Sequence, residues 1–125
     1  MKVMDSLNFF VGTDIVEVTR INDLLEKSGK RFKEKIFTNL EQEYCDSKSS
    51  PSLHYAGRFA AKESIIKAVK SSGYETPISF KDIEILPSES GAPIVDLHFI
   101  SEWECKVSIS HTEFYATASA LYIQR

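Results

Sequence analysis

The chain has 125 residues, 42% of them hydrophobic and 26% charged, and we expect one globular domain over residues 1–125. The net charge of −3 argues against a general nucleic-acid binder, and no apolar run approaches the ~18 residues that span a membrane. Without a signal-peptide pattern, and with Cys45 and Cys105 outside any metal or redox spacing, we expect a cytoplasmic protein with reduced, packed thiols.

The first predicted elements are a strand and a helix. Residues 9–18 are rich in β-branched and aromatic side chains, which is typical of a strand. Thr19 can cap a helix that follows, and Gly29 predicts its end. Residues 20–36 hold six basic groups against three acidic ones, which indicates either an anionic partner or a solvated helix face.

Two more helices and four strands follow. Thr38 and Glu41 have capping-box spacing, which predicts a helix from about Asn39. After a loop at 47–52, a long helical pattern ends before Gly73. The period then changes to two, which predicts an antiparallel β-meander of strands at 80–86, 94–99, 105–110 and 115–123. One strand, three helices and a meander form an α+β domain.

Asp14 and Gly12 are the notable residues of the first strand. Alternation places Asp14 on the face of Phe10 and Val16, where a carboxylate is costly unless a cation or hydrogen bonds compensate it. The alternative is that Asp14 ends the strand and caps the next turn. Gly12 permits the close approach of a ligand or another backbone, although a bulge would also explain it.

The third helix carries a lysine in an unexpected position. At 100° per residue, Lys62 falls inside the apolar arc between Val69 and Ile66. Its stem must either extend out of the core or lie at an interface. Glu63 and Lys67 lie on the polar side, where a surface pair at this spacing would stabilise the helix by only ~0.2–0.5 kcal/mol.

Asp14 and Glu63 are the two acids that we place near apolar surface. Two carboxylates with room for water and phosphate oxygens suit Mg²⁺, which prefers six oxygen ligands. Lys62, Lys67 and Arg58 nearby would suit a phosphate ester. The residues alone therefore indicate Mg²⁺-dependent chemistry on a phosphate ester.

Three hydrogen-bonding side chains, Ser110, His111 and Thr112, follow one another near the C-terminus. A single histidine at a strand end is usually structural, but beside Arg58 in a phosphate site it would be a ligand. The sequence has no pattern of a Ser–His–Asp triad, a zinc site, a GxGxxG loop or a P-loop.

Three segments in order resemble one known family. "VGTDIVEVTRI", "RFAAKESIIKAV" and "VSISHT" followed by "ATASA" closely resemble the holo-acyl-carrier-protein synthases, which are small 4′-phosphopantetheinyl transferases. The linking pieces "IFTNLEQEYC" and "FKDIEILPSESGAP" fit too, so the resemblance covers essentially the whole chain. It implies the fold of that family. It also implies transfer of 4′-phosphopantetheine from coenzyme A to a serine of apo acyl carrier protein, in fatty acid biosynthesis, with release of adenosine 3′,5′-bisphosphate.

The resemblance implies a reaction centre. Asp14 and Glu63 would hold Mg²⁺ against the pyrophosphate of coenzyme A, and Lys67 would neutralise charge on that pyrophosphate as it leaves. A phosphoryl centre attacked by a serine hydroxyl needs this neutralisation more than it needs a protein nucleophile. The base that takes the serine proton stays open among a metal-bound water, Glu63 and Asp14.

The resemblance also implies binding surfaces. Arg58 and His111 would bind the 3′-phosphate of coenzyme A, and Ser110 and Thr112 would belong to the same binding segment. Members of the family are homotrimers whose active sites lie between subunits, and the resemblance implies the same assembly for this chain. His111 would therefore reach a site whose metal the neighbouring subunit holds, and Lys62 would lie at that interface.

The carrier protein would dock on the first helix. The resemblance places Arg20 there, and the basic segment 20–36 would attract an acidic carrier. Two positions depart from the family pattern without touching the proposed metal site. Ala92 stands where a lysine is usual, and Ser64 replaces an alanine on what we predict to be the polar side of the third helix.

Two other functions fit the same residues. A Mg²⁺-dependent phosphohydrolase could use the two carboxylates on a nucleotide and would release phosphate without a protein acceptor. A non-catalytic module could bind coenzyme A or an acidic protein, with carboxylates that are only structural. The sequence favours the transferase.

Overall fold

The structure is a computed structural model that describes residues 8–100 and 102–124. The strands are β1 (Asn8–Glu17), β2 (Ile83–Pro87), β3 (Pro93–Leu97), β4 (Glu104–His111) and β5 (Tyr115–Gln124). The helices are α1 (Val18–Ile36), α2 (Asn39–Asp46) and α3 (Pro51–Ser71), and a 3₁₀ turn (Phe80–Asp82) precedes β2. The predicted α+β class is confirmed.

The strands form two antiparallel sheets. In the larger sheet β5 lies between β1 and β4, whereas β2 and β3 form a separate hairpin. The last four strands are thus two hairpins and not one continuous meander, because β3 pairs with β2 and β4 pairs with β5, but β3 does not pair with β4. Alternation predicted that these segments are strands, but it carries no information about which strands are neighbours.

α1 differs from the prediction at both ends. Its N-cap is Glu17, so Thr19 lies within the first turn. The helix also continues past Gly29, because Ile36 beyond the glycine is buried in the core and this packing outweighs the ~1 kcal/mol that a glycine costs a helix. Non-helical angles at Ser28 (φ −139°, ψ 35°) leave a kink where the end was predicted.

The other two helices follow the prediction, except that α3 begins at Pro51, within the predicted loop. Thr38 Oγ1 accepts from the Glu41 N–H at 3.3 Å and Glu41 Oε1 accepts from the Thr38 N–H at 2.9 Å, which is the predicted capping box of α2. α3 ends before Gly73, as expected. The larger sheet covers one side of α3 and the other helices cover another, so most of α3 is buried.

Lys62 lies in the core and not at an interface. Its side chain has no exposed surface, and Nζ donates to Glu41 Oε1 at 2.6 Å, the Ile36 carbonyl at 2.7 Å and the Phe80 carbonyl at 3.0 Å. Glu41 Oε2 accepts from the Ile85 N–H at 2.8 Å. Both positions predicted for Lys62 are therefore wrong, because a buried acid from α2 satisfies it within the chain.

Several smaller predictions can also be compared. Ser64 is fully buried and donates to the Ala61 carbonyl at 2.8 Å, so its predicted place on the polar side is wrong. Ala92 is exposed in the β2–β3 turn. Cys45 and Cys105 are buried free thiols, as expected, and burial raises the pKa of each to about 12. No helix within residues 8–100 and 102–124 is long and apolar enough to cross a membrane.

Candidate functional site

Gly12 permits close contact between β1 and α3. A Cβ atom on this residue would overlap the Ser64 carbonyl oxygen and lie 2.8 Å from the Ala68 backbone nitrogen. The sequence left open which group approaches Gly12 closely, and in the structure that group is the backbone of α3. The contact places Asp14, two residues further along β1, beside the exposed side of α3.

Lys67 links α3 to β1. Its Nζ donates to the Thr13 carbonyl at 2.9 Å and to Asp14 Oδ1 at 3.2 Å. Asp14 is in the middle of β1 and does not cap a turn, so the first of the two interpretations is confirmed: a cation compensates its carboxylate. The Lys67 side chain is 54% exposed and that of Asp14 18%, which leaves the pair open to a ligand.

Glu63 shares the environment of Asp14. Burial, followed by the negative charge of Asp14, raises the pKa of the Glu63 carboxyl group, while Lys67 and Arg20 act in the opposite direction. Two carboxylates that repel each other at a partly buried surface provide oxygen ligands of the kind that Mg²⁺ prefers. We call Asp14, Glu63 and Lys67 the carboxylate centre.

A second group of side chains surrounds Tyr44 near the N-terminal half of α3. The Arg58 Cζ lies 4.2 Å and the Lys48 Nζ 4.7 Å from the centroid of the Tyr44 ring. The His54 ring lies edge-on to Tyr44 at 5.7 Å, and the His111 ring lies 6.4 Å from that of His54. We call these five residues the basic cluster.

Arg58 is buried with an unsatisfied donor. Only 6% of its surface is exposed, and its Nε has no hydrogen-bond partner among the described residues. Leaving a buried donor unpaired costs about 1–3 kcal/mol, and a bound anion would supply the missing acceptor. Arg58 and His111 belong to the same cluster, in which Tyr44 and His54 link them. His54 was missed, although its spacing of four residues from Arg58 places both on one face of α3.

Ser110 and Thr112 flank His111 but differ in orientation. Alternation along β4 places Ser110 on the opposite face of the sheet from His111. The Thr112 hydroxyl accepts from the Phe114 N–H at 3.3 Å and the Tyr115 N–H at 3.1 Å, within the β4–β5 turn. Within one chain, therefore, neither the Ser110 nor the Thr112 side chain is part of the basic cluster.

The carboxylate centre and the basic cluster are separated within one chain. Asp14 is opposite Ala118 of β5, which is opposite Ile109 of β4, and His111 follows two residues later. From the spacing of strands and residues, the Cα atoms of Asp14 and His111 are about 12 Å apart.

The β2–β3 hairpin holds another group of possible metal ligands. Glu84 and Asp96 are cross-strand partners, and the ligand atoms of these two residues and His98 lie within 4.8 Å of one another. His98 Nε2 already lies 3.3 Å from Asp96 Oδ2. We favour Asp14 and Glu63 as metal ligands because basic side chains beside them could neutralise a bound phosphate.

The basic segment lies on α1. Its exposed members are Arg20, Lys27, Lys30, Arg31 and Lys35. Lys33 instead pairs with Asp46 at 3.1 Å within the chain. Arg20 is in the first turn, with its Cζ 6.0 Å from the centroid of the Phe59 ring, and its charge contributes to the pKa of Glu63. The basic face of α1 therefore begins next to the carboxylate centre.

Comparison with known proteins identifies relatives over nearly the whole chain. The family model of the 4′-phosphopantetheinyl transferase superfamily matches residues 10–120. The holo-[acyl-carrier-protein] synthase of Protochlamydia amoebophila is 41% identical over 117 residues, covering 90% of this chain and 95% of that protein. The synthase of Chlorobaculum parvum is 44% identical over 112 residues, covering 89% and 95%.

A solved structure agrees with these relatives. The Chronobacterium ammoniagenes ACPS–CoA complex has a TM-score of 0.80 to this chain at 33% identity, and the match covers 94% of this chain and 99% of that one. The family match spans the residues of both clusters. The chain therefore belongs to the 4′-phosphopantetheinyl transferase superfamily and, within it, to the holo-[acyl-carrier-protein] synthases, which transfer phosphopantetheine from coenzyme A to apo acyl carrier protein.

Proposed function

We propose that the carboxylate centre carries out this transfer to a serine of the carrier protein, and that the basic cluster holds the adenosine end of coenzyme A. The observation that carries the proposal is the meeting of Asp14, Glu63 and Lys67 at the contact between β1 and α3. The reaction would take place in the cytoplasm, as a step of fatty acid biosynthesis.

The residues of the carboxylate centre would have different roles in the transfer. Asp14 and Glu63 would hold Mg²⁺, which supplies charge neutralisation for the pyrophosphate when it is bound. Lys67, fixed by the Thr13 carbonyl, would bind the pyrophosphate oxygens. Its ammonium would stabilise the negative charge that develops as the bond to the adenosine bisphosphate breaks.

Arg58 and His111 would bind the 3′-phosphate of coenzyme A. The unpaired, buried Nε of Arg58 supports this assignment, because a phosphate oxygen would satisfy that donor. Ser110 and Thr112 would contribute to the same coenzyme A-binding segment on either side of His111.

The larger sheet supports a proposed homotrimer. α3 covers one face of this sheet, whereas on the other face Phe9, Val11 and Ile15 of β1 are 55%, 69% and 66% exposed. Exposed large apolar side chains on one strand are typical of a protein interface. In a cyclic trimer the carboxylate centre of one subunit would meet the basic cluster of the next.

Analytical ultracentrifugation tests the proposed assembly. It should show a trimer, and an active monomer would contradict the proposal.

Intact-mass spectrometry of apo acyl carrier protein tests the function. After incubation with coenzyme A, Mg²⁺ and this protein, the carrier should gain the mass of one phosphopantetheine group. A phosphohydrolase would release phosphate and leave the carrier unchanged. A binding module would leave both the carrier and coenzyme A unchanged.

The carrier protein is proposed to dock on the basic face of α1. Replacing Arg20 by Glu should raise KM for the carrier about tenfold at low salt, since a glutamate would repel an acidic partner. KM for coenzyme A should change much less than KM for the carrier, although Arg20 also acts on the Glu63 carboxyl group. Steady-state kinetics at several salt concentrations measure both constants.

Lys70→Glu is the matched control for docking. This exposed lysine lies in the last turn of α3, away from α1, so its reversal should leave KM for the carrier near the parental value. An Arg20→Glu variant that uses the carrier as well as the parent at low salt would exclude α1 as the docking surface.

A further inference from the structure

His54 connects the parts of the basic cluster. Its ring lies edge-on to Tyr44 at 5.7 Å, and the guanidinium of Arg58 stacks on that same Tyr44 ring. On another side the His111 ring lies 6.4 Å from that of His54. His54 therefore lies between the two residues that are proposed to bind the 3′-phosphate, and no role has yet been given to it.

Basic side chains from three parts of the chain act on His54. Lys48 comes from the turn between α2 and α3, Arg58 from α3 itself, and His111 from the end of β4. Burial first, and then the charges of Arg58, Lys48 and His111, lower the pKa of His54 below its ordinary value. Its imidazole is therefore mostly neutral at pH 7 in the free protein.

A bound phosphate would reverse this electrostatic balance. Two negative charges among Lys48, Arg58 and His111 would offset the repulsion that these groups exert on an imidazolium. A phosphate oxygen would also accept a hydrogen bond from the charged ring, which is stronger than one from the neutral ring.

We propose that His54 is a further ligand of the 3′-phosphate of coenzyme A and takes up a proton when that phosphate binds. This inference rests on the proposed binding of that phosphate by Arg58 and His111. In this proposal the protein takes up one proton when it binds a 3′-phosphate. The uptake occurs at pH values between the pKa of His54 in the free protein and its pKa in the complex.

The direction of the pH dependence follows from the sign of this change. Because the complex binds more protons than the free protein, affinity for coenzyme A falls as the pH rises through that range. Each unit by which the pKa rises on binding corresponds to a change of up to about tenfold in affinity. A ligand that lacks the 3′-phosphate should show no such dependence.

Imidazole NMR tests the proposal directly, since the chain contains three histidines that single replacements can assign. The pKa of each histidine is measured in the whole protein alone, with adenosine 3′,5′-bisphosphate, and with adenosine 5′-monophosphate. The pKa of His54 should rise by about one unit or more with the bisphosphate only. That of His98, on the β2–β3 hairpin, should not move.

Two outcomes would overturn the proposal in different ways. If the bisphosphate binds more tightly than the monophosphate but the pKa of His54 stays unchanged, the 3′-phosphate site stands and the role of His54 is wrong. If the two nucleotides bind equally, or neither binds, the 3′-phosphate site itself is wrong, and the role of His54 fails with it.

Kinetics of a His54→Gln variant give a second test. In the parent, KM for coenzyme A should rise several-fold as the pH increases from about 5.5 to about 7.5, whereas kcat with saturating coenzyme A should not follow this change. The rise should be clearly smaller in His54→Gln, where His111 remains as an ionisable ligand of the phosphate, and unchanged in the control His98→Gln. A His54→Gln variant with the parental rise would overturn the proposal.

Discussion

Replacing Asp14 by Asn or Glu63 by Gln is expected to slow transfer by at least about a thousandfold while the protein stays folded. Each replacement keeps the shape of the side chain and removes one negative charge from the proposed cation site. Stability should change little. The ion pair of Asp14 with Lys67 is partly exposed and contributes at most about 1 kcal/mol. Burial and the charge of Asp14 already disfavour the ionised form of Glu63.

Turnover as a function of Mg²⁺ concentration, together with urea unfolding, measures this effect. Asp96→Asn is the matched control, since it removes an exposed carboxylate from the hairpin group of possible metal ligands. This control should keep the parental Mg²⁺ dependence. Near-parental turnover of Asp14→Asn or Glu63→Gln at limiting Mg²⁺ would contradict the role of the carboxylate centre in binding Mg²⁺. A loss of turnover in Asp96→Asn alone would indicate that the metal binds at the hairpin instead.

Replacing Lys62 by Met is expected to lower the free energy of unfolding by about 3–5 kcal/mol. The replacement leaves the fully buried Glu41 carboxylate without its cation, and the carbonyls of Ile36 and Phe80 without their donor. For a domain whose total stability is of the order of 5–15 kcal/mol, this is a large share.

Urea unfolding of a double-mutant cycle measures the effect. Combining Lys62→Met with Glu41→Gln removes both charges, so the double variant should be more stable than the sum of the single effects predicts. Lys70→Met, an exposed change on the same helix, should stay within about 0.5 kcal/mol of the parent. A Lys62→Met variant that unfolds at the parental urea concentration would show that the pair is not needed.

Features that depend on nearby residues could be predicted from the sequence. The capping box of Thr38 and Glu41 requires only a three-residue spacing, and the face of Asp14 follows from strand alternation. The end of α3 before Gly73 is likewise a local signal. The grouping of Asp14 with Glu63 and Lys67 was anticipated because apolar surroundings and the family motif pointed to the same residues.

Features that depend on distant residues could not be predicted. Lys62 is satisfied by Glu41, which lies 21 positions earlier in the chain, and no periodicity connects the two residues. Alternation along each strand also did not reveal that β5 pairs with β1 or that β3 and β4 lie in different sheets, because strand pairing depends on distant residues. His54 was passed over because its partner His111 comes from β4 and meets it only in the folded protein.

Each active site is proposed to combine the carboxylate centre of one subunit with the basic cluster of the next. Co-expression of Asp14→Asn with His111→Ala tests this most directly, with transfer measured by the mass of the carrier at low coenzyme A. In randomly mixed trimers about a quarter of the sites would pair two intact halves, so about a quarter of the parental activity should return. If the mixture shows only the average of the two variants measured alone, the site lies within one subunit and the shared site is contradicted.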